Sequence, residues 1–268
     1  DANTTGDKLT AIGYNALGAN TGADSNVAVG YQAALSNTTG NTNTAIGYET
    51  LYSNTQGDRN TAIGHGALYT MNPSGNADSY NTGVGFYALY ATTTGYRNTA
   101  VGGLALDANT TADDNTGIGY GALTDNTTGF YNVAVGKDAL ANNTTANANV
   151  AIGYKALEDN TTTNIHVAVG HEALKENTTG SNQVAVGGYA LKVNTTGTQN
   201  TGVGYFALGA NTTGDGNTAL GYQSLDANTT GDNNTGLGYQ ALSANTTGSI
   251  NVAVGYLALA SNTTASSN

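Results

Sequence analysis

One tripeptide, Ala or Gly followed by Ile, Val or Leu and then Gly, recurs along the whole chain and limits its fold more than any other feature. It occurs fifteen times in 268 residues, and its final glycines lie 17 residues apart except for Gly64 and Gly85, which are 21 apart. A fixed period of about this length is typical of repeat architectures. The one irregular interval predicts a four-residue insertion loop at 71–80, which contains the only proline, Pro73.

The repeat unit reads N-[TV]-[AG]-[IVL]-G-Y-x-A-L-x-x-N-T-T-G-x-x. Its short alternating stretch of Val, Ile and Thr, bounded by Gly and by Asn-Thr-Thr-Gly, is strand and turn chemistry and not helix chemistry. Seventeen residues are enough for one coil of a parallel β-solenoid, in which each coil hydrogen-bonds to the next. The sequence therefore predicts an all-β protein, a single parallel β-solenoid (β-roll) of fifteen 17-residue coils over residues 1–268.

Alternation along the strand places the Thr or Val and the Ile or Val of each unit on one face, and the Ala or Gly on the other. We expect the apolar pair to face inward, so that the core consists of the Ile/Val slot and the Leu slot. The small Ala/Gly column is then the expected surface for association along the side of the coils, most simply as a symmetric oligomer. The predicted core residues are Ile12, Val29 and Ile46 with Leu17, Leu51 and Leu68.

Stacked coils bring identical side chains into columns. The opening Asn of the unit, as in Asn26, Asn43 and Asn60, is expected to form an amide ladder, and the Tyr slot is expected to stack its rings. Charges of alternating sign also align between successive coils, which supports the register weakly. The aligned sets are Asp138, Lys155 and Glu172 in one slot, and Glu158 and Lys175 in another.

Composition excludes several classes of protein. The chain has no Cys, which rules out disulfides, thiol catalysis and cysteine-bound zinc. With seven Lys and Arg against eighteen Asp and Glu, the net charge is −11, and a nucleic-acid backbone would be repelled. No apolar run reaches the roughly 20 residues of a membrane helix, so no membrane insertion is expected in this segment. The opening residues, Asp1 to Thr5, do not resemble a signal peptide.

Catalysis would require one distinctive group of residues, whereas this chain repeats the same residues many times. Of the three histidines, His65 and His171 replace Tyr in its slot and His166 replaces the opening Asn, which indicates tolerated substitutions and not a metal site. Asp159 and Glu176 stack on successive coils as a weak candidate for a glycosidase pair. We therefore predict that the protein is not an enzyme and has no catalytic, cofactor-binding or metal-binding residues.

The turn offers three further alternatives. Acids recur after it at Asp7, Asp58, Asp215 and Asp232, a weak calcium candidate that lacks the nonapeptide of calcium-binding solenoids. The Asn-Thr-Thr triplets match the N-glycosylation pattern, although Asn and Thr also suit turns, and O-linked sugar on the Thr rows is a further hypothesis. Regular Thr rows can bind ice, but the two Thr of the triplet are adjacent and should point apart.

Units such as Asn26-Val27-Ala28-Val29-Gly30 and Asn149-Val150-Ala151-Ile152-Gly153 resemble the head repeats of trimeric autotransporter adhesins. The resemblance covers nearly the whole chain, although the unit is longer than the family's usual repeat and neither a neck nor a heptad stalk is seen. It implies a left-handed parallel β-roll, a homotrimer, surface display and adhesion to host or matrix molecules. Similar repeats occur in phage tail fibres.

These observations together predict an extracellular or cell-surface segment of a structural fibre or adhesin. It would form a rigid, Asn/Thr-rich rod for adhesion or filament assembly. The expected partners are two further copies of the chain, an end-to-end neighbour in a filament, and a glycan or protein ligand on a host, matrix or other surface. A phage tail-fibre receptor-binding shaft is the alternative, followed by an ice-binding solenoid.

Overall fold

A computed structural model describes residues 2–75 and 77–268. The described residues form fifteen three-residue β-strands, one in each repeat, and no helix. They divide into two compact units, Asp1–Asn132 and Val133–Asn268. The first unit contains β1 (Thr10–Ile12), β2 (Val27–Val29), β3 (Thr44–Ile46), β4 (Thr61–Ile63), β5 (Thr82–Val84), β6 (Thr99–Val101) and β7 (Thr116–Ile118). The second contains β8 (Val133–Val135), β9 (Val150–Ile152), β10 (Val167–Val169), β11 (Val184–Val186), β12 (Thr201–Val203), β13 (Thr218–Leu220), β14 (Thr235–Leu237) and β15 (Val252–Val254).

Within each unit, consecutive strands pair in parallel and in register. Ala45 of β3 lies opposite Ala62 of β4, which in turn lies opposite Gly83 of β5 across the insertion. The glycines that end each tripeptide follow the same register. The N–H groups of Gly47 and Gly64 donate to the carbonyl oxygens of Val29 and Ile46 in the preceding coils, each at 2.8 Å. The predicted parallel β-solenoid with one coil per 17 residues is therefore confirmed. Its description as a single domain over 1–268 stays a prediction.

The inward face of each strand is the small one, which reverses the expected orientation. The middle residue of the strand is fully buried, as at Ala28, Ala45 and Ala151, each with 0% exposure. The predicted core residues Ile12 and Ile46 are instead 60% and 37% exposed, and Val29 is only half-buried. The Leu slot was predicted correctly, since it is buried throughout the interior of both units.

The narrow cross-section of the coil explains this reversal. A β-carbon at Gly117, the middle residue of β7, would lie 3.2 Å from the Ala122 carbonyl oxygen and 3.3 Å from Cδ1 of Leu106. The opposite wall of the coil is thus close enough to admit a methyl group and nothing larger. The Ala/Gly column makes this close packing inside one chain and leaves the larger aliphatic residues on the outside.

Two buried columns of asparagine fill the rest of the interior. In the first, the opening Asn residues accept backbone hydrogen bonds from the next coil: the N–H of Asn43 donates to Oδ1 of Asn26 at 2.8 Å, and Asn60 donates to Asn43 at 2.9 Å. In the second, the turn Asn residues bond one another, as Nδ2 of Asn211 does to Oδ1 of Asn194 at 2.8 Å. The predicted amide ladder is confirmed, and nearly all of the buried asparagine side chains among the described residues are hydrogen-bonded, with Oδ1 of Asn20 the exception at the edge of the first unit.

Each coil turns its corners at residues with left-handed backbone. Gln32, Leu51 and Arg59 have φ angles of 53°, 51° and 59°, and their counterparts in the other coils behave alike. This conformation costs a non-glycine residue about 1–2 kcal/mol. The recurrence of leucine there shows that its buried side chain outweighs the backbone strain.

The insertion lies where predicted, between β4 and β5. Met71 takes the position of the turn Asn and is fully buried, and Pro73 is also buried. A parallel bridge from Asp58 to Asp78 restores the pairing of the coils after the loop. Asn76, which belongs to this predicted loop, lies outside the described residues.

Candidate functional site

The outward face of each sheet carries two aliphatic columns, which we call the aliphatic face. It consists of the first residue of every strand, Thr or Val, and the third, Ile, Val or Leu. In the first unit, Ile63, Val101 and Ile118 are 36–39% exposed, and in the second unit Ile152 and Leu220 are 38% and 46% exposed. Rows of apolar side chains on a flat sheet are unusual on the surface of a protein that acts alone.

Aromatic residues form an exposed column beside this face. Ring centroids of Tyr14, Tyr31 and Tyr48 lie 5.3 and 5.1 Å apart with nearly parallel planes. In the second unit, Tyr222 and Tyr239 stack in the same way at 5.3 Å. The predicted stacking of the Tyr slot is confirmed, and it turns ring edges, not ring faces, toward solvent.

The aromatic column widens into a patch near the insertion, a feature that the repeat consensus does not predict. A second stack of Tyr52, Tyr69 and Tyr90 runs beside the first with centroids 5.0 and 5.2 Å apart. Tyr87 bridges the two stacks, and its ring occupies the space that a side chain at Gly66 would need. Burial and the nearby carboxylate of Glu49 raise the pKa of Tyr69.

The charged residues pair differently from the predicted alternating column. Lys175 lies 3.7 Å from Glu158, as expected. Lys155, however, pairs with Glu158 of its own coil at 2.8 Å, and Glu172 pairs with Lys192 at 2.7 Å. These half-exposed pairs stabilise the coils by less than about 1 kcal/mol each.

The acids after the turn have a structural role. The carboxylate of Asp24 accepts the N–H of Asp7 at 2.7 Å, and Asp58 accepts the N–H of Asn41 at 2.6 Å. Asp215 and Asp232 accept the N–H groups of Thr198 and Asp215. An oxygen acceptor in this slot thus joins many of the coils to the one before, which gives the recurring Asp a structural role. Among the described residues, no group of three His, Asp or Glu side chains is placed to hold a metal ion.

The weak glycosidase candidates, Asp159 and Glu176, lie on successive coils. Asp159 accepts a hydrogen bond from Nδ2 of Asn142 at 3.1 Å. The backbone N–H groups of both acids donate to backbone carbonyl oxygens of the following coil, at Lys175 and Lys192. Their backbone positions follow the regular repeat. This placement gives no reason to assign them a catalytic role.

The three histidines divide as the sequence indicates. His65 and His171 continue the aromatic column, with centroids 4.9 Å from Tyr48 and 5.1 Å from Tyr154. His166 is fully buried in the first asparagine column. Its Nδ1 accepts the N–H of Gln183 at 3.3 Å, so the neutral ring carries its proton on Nε2, which lies 2.9 Å from Oγ1 of Thr163.

His166 makes the stability of the second unit depend on pH. Burial lowers its pKa from 6.5 to about 4. Because the folded pKa is below the unfolded one, the stabilisation is complete above pH 6.5 and is lost as the pH falls toward 4. We expect a loss of about 3 kcal/mol, measured as the free energy of unfolding in urea at pH 7 and pH 4.

The matched control is His166→Asn, which restores the residue found in most other coils. It removes the titrating ring and keeps an acceptor for Gln183. The variant should lose about 3 kcal/mol less than the parent over the same pH interval. An equal pH dependence in both proteins would contradict the assignment.

A cleft of about 290 Å³ opens on the turn side of the first unit, and we call it the turn cleft. It contains an ion pair, in which Nε and Nη2 of Arg97 donate to the two carboxylate oxygens of Asp114 at 2.7 and 2.8 Å. Arg97 thereby lowers the pKa of Asp114. The rings of Phe130 and Tyr131 meet edge to face at 5.1 Å and are 43% and 58% exposed. The lining residues are Arg97, Thr111, Ala112, Asp113, Asp114, Thr128, Phe130 and Tyr131.

Buried asparagine occupies the acceptor position of the Asn-Thr-Thr triplets. Asn109, Asn177 and Asn228 all have 0% exposure and are part of the second ladder. In the folded coil these amides are shielded and bonded within the ladder. The exposed second Thr of the triplet, as at Thr111 and Thr128, remains a surface residue.

No helix long and apolar enough to span a membrane is found in the part of the chain that the structure describes. Comparisons with protein-family models, with curated proteins and with solved structures found no match to this chain.

Proposed function

We propose that the chain is a non-enzymatic structural segment of an extracellular fibre or adhesin, in which three copies associate through their aliphatic faces. The observation that supports this most directly is the aliphatic face itself, a regular array of outward Thr, Val, Ile and Leu on both units. The likeness of the repeats to trimeric adhesin heads supports three as the number of copies.

The energetics of a narrow coil favour such an association. The interior of each coil holds an Ala or Gly, a Leu and asparagine ladders, so little large apolar surface is buried within one chain. Covering the outward Ile and Val residues would add stabilisation at about 25 cal/mol for each Å² of apolar surface removed from water. A symmetric oligomer covers this face on every copy at once.

The oligomer predicts a specific effect of Ile152→Asp. Ile152 is 38% exposed on the aliphatic face, so a carboxylate there leaves the coil folded but places a charge in the proposed interface. By light scattering on a sizing column, the parent should have three times the chain mass of 26.9 kDa, and the variant should shift toward one. Circular dichroism should be the same for both.

Val27→Thr is the matched control, because Thr is the commoner residue in its column of the first unit and keeps the face regular. It should leave the mass at three chains. A parent that runs as a single chain, or an Ile152→Asp variant that stays fully assembled, would contradict the proposed interface.

The adhesive role is tested separately, by binding of the assembled protein to surfaces coated with collagen, fibronectin or neutral glycan conjugates. A repetitive Asn/Thr-rich surface can contact such partners at many equivalent positions, which raises the apparent affinity by multivalency. Saturable binding to one of these surfaces is the expected result. Absence of binding to all of them would favour a purely structural shaft, such as that of a phage tail fibre.

Ice binding is a second candidate because of where the strand threonines lie. Thr44, Thr61 and Thr82 and their neighbours in the first unit alternate with outward Ile or Val two residues later. The strands thus present threonine at alternate positions on one outward face, which an ice-binding face requires. The adjacent threonines of the turn cannot form such rows. Thermal hysteresis of the parent that Ile118→Asp abolishes would identify this function, because a charge in the row should prevent ice binding.

A further inference from the structure

The turn cleft lies where the pattern of the turn edge is broken. In the slot after the turn, most coils carry a polar residue, and the Asp, Asn or Ser there commonly accepts the backbone N–H of the preceding coil. Asp113 follows this pattern, since its Oδ1 accepts the N–H of Tyr96 at 2.7 Å. The next coil has Phe130 in the slot instead.

This replacement changes the hydrogen bonding at the cleft. A phenylalanine ring has no oxygen acceptor, so the N–H of Asp113 lacks the side-chain partner that the same group has in most other coils. Asp113 also uses only one carboxylate oxygen for Tyr96. The cleft therefore offers a main-chain donor and a carboxylate acceptor on the same residue.

Aromatic and hydroxyl groups surround this pair. Phe130 and Tyr131 place two exposed rings at one wall of the cleft, and Thr111 and Thr128 add hydroxyl groups that are exposed at its rim. Arg97 engages Asp114 through two of its N–H groups, which leaves further guanidinium donors. A cavity with apolar rings and a few convergent polar groups is typical of a small-ligand site.

The balance of charge selects among small ligands. Asp113 and Asp114 carry two negative charges against the single positive charge of Arg97, so an anionic ligand would be repelled. A neutral ligand that both donates and accepts hydrogen bonds, and that has an apolar face for the rings, fits these groups. A pyranose meets each requirement, and about 290 Å³ accommodates one sugar ring or a short saccharide.

We propose that the turn cleft is a binding site for a neutral saccharide, with the ring faces on Phe130 and Tyr131 and the hydroxyls on Asp113 and Arg97. This inference rests on the proposed adhesive function and gives its partner a chemical class. The cleft is formed by turn residues and not by the first and third strand residues, so it uses a different surface from the aliphatic face.

The test is saturation-transfer NMR on the full chain with methyl glycosides of glucose, galactose, mannose and N-acetylglucosamine. At least one glycoside should bind, and Phe130→Asp should weaken it at least tenfold. That variant should fold, because Asp is the natural residue of this slot at Asp113 and Asp215. Tyr131→Ser, which removes the second ring, should also weaken binding.

Two controls match these variants. Ser181→Asp places an acid in the slot of Phe130 on another coil, and Ile250→Ser changes an exposed apolar residue in the slot of Tyr131. Both should bind as the parent does. The proposal is overturned if no glycoside binds, or if Phe130→Asp and Tyr131→Ser bind with unchanged affinity.

The coated-surface assay separates this proposal from the proposed function. If Phe130→Asp adheres to a coated surface as well as the parent does, the cleft is not needed for adhesion and the adhesive function still stands. Glycoside binding at the cleft by a protein that adheres to no coated surface would support the site and contradict the adhesive role.

Discussion

Replacing Gly153 by alanine is expected to lower the free energy of unfolding of the second unit by about 4–5 kcal/mol, which is at the upper end for a single substitution. Gly153 has φ +132°, a conformation that side chains rarely adopt. A β-carbon there would lie 2.4 Å from the carbonyl oxygen of Gly170 in the next coil and 2.7 Å from its carbonyl carbon. These are backbone atoms of the paired strand end, so the coils would have to separate.

Gly188→Ala is the control for this substitution. It changes the neighbouring glycine slot, where a β-carbon would only make ordinary contact with Cδ2 of Tyr205 at 3.4 Å. Urea unfolding measures both variants, and amide hydrogen exchange of β9 and β10 reports on Gly153→Ala locally. Free energies of unfolding for the two variants that agree to within about 1 kcal/mol would show that the coils are more adaptable than the close packing of glycines implies.

Replacing Asn194 by aspartate should lower the same free energy by about 3–5 kcal/mol, although the two side chains have the same shape. Nδ2 of Asn194 donates to Oδ1 of Asn177 at 3.2 Å and to the carbonyl of Gly197 at 3.0 Å. A carboxylate would place oxygen against both of these acceptors and would bury a charge. The substitution affects the coils on both sides, because Nδ2 of Asn211 in the next coil donates to Oδ1 of Asn194.

Asn164→Asp is the control, because it makes the same change of residue at an exposed position and so separates the effect of burial from that of the substitution itself. Asn164 is exposed after a turn, where its Oδ1 accepts the N–H of Asn147 at 2.7 Å. Aspartate fills this slot naturally in other coils, so the change should alter stability by less than about 0.5 kcal/mol. Thermal melts at pH 7 distinguish the two variants, and a similar loss for both would contradict the role of the buried ladder.

Much of the fold follows from the period of the repeat. A strict 17-residue spacing places like residues over like, so the parallel register, the Tyr stacks and the Asn ladder are predictable without a structure. The leucine column is also predictable, because a large apolar residue in nearly every unit has no better place than the core.

The orientation of the strand was predicted wrongly for a physical reason. The rule that large apolar residues face inward assumes that there is room for them, but at Gly117 the opposite wall leaves space for one methyl group only. Ile46 and Ile152 are therefore outside and Ala45 and Ala151 inside. The width of a coil depends on its corners, and the positive φ angles at Gln32 and Leu51 are not evident from residue types that usually avoid them.

The turn cleft is not predictable from the residues that the repeat units share. Its signal was present as Phe130 and Tyr131, two aromatic residues in slots that are mostly polar. Only the structure shows that they lie beside Arg97 and Asp113 of two preceding coils, since the ion pair and the cleft depend on how the turns stack.

The burial of the triplet asparagines affects how the polypeptide can be produced. An oligosaccharide is attached to such a triplet while the chain is still unfolded, before any coil can hide Asn109 or Asn228. A sugar tree on either amide would be too large for this core, because Nδ2 of Asn109 bonds the carbonyl of Ala112 in its own turn at 3.2 Å and Nδ2 of Asn228 bonds Asn211 of the adjacent coil at 2.9 Å. Passage through a eukaryotic secretory compartment would therefore oppose closure of the coils, whereas synthesis in a bacterium without that enzyme leaves the ladder free to form.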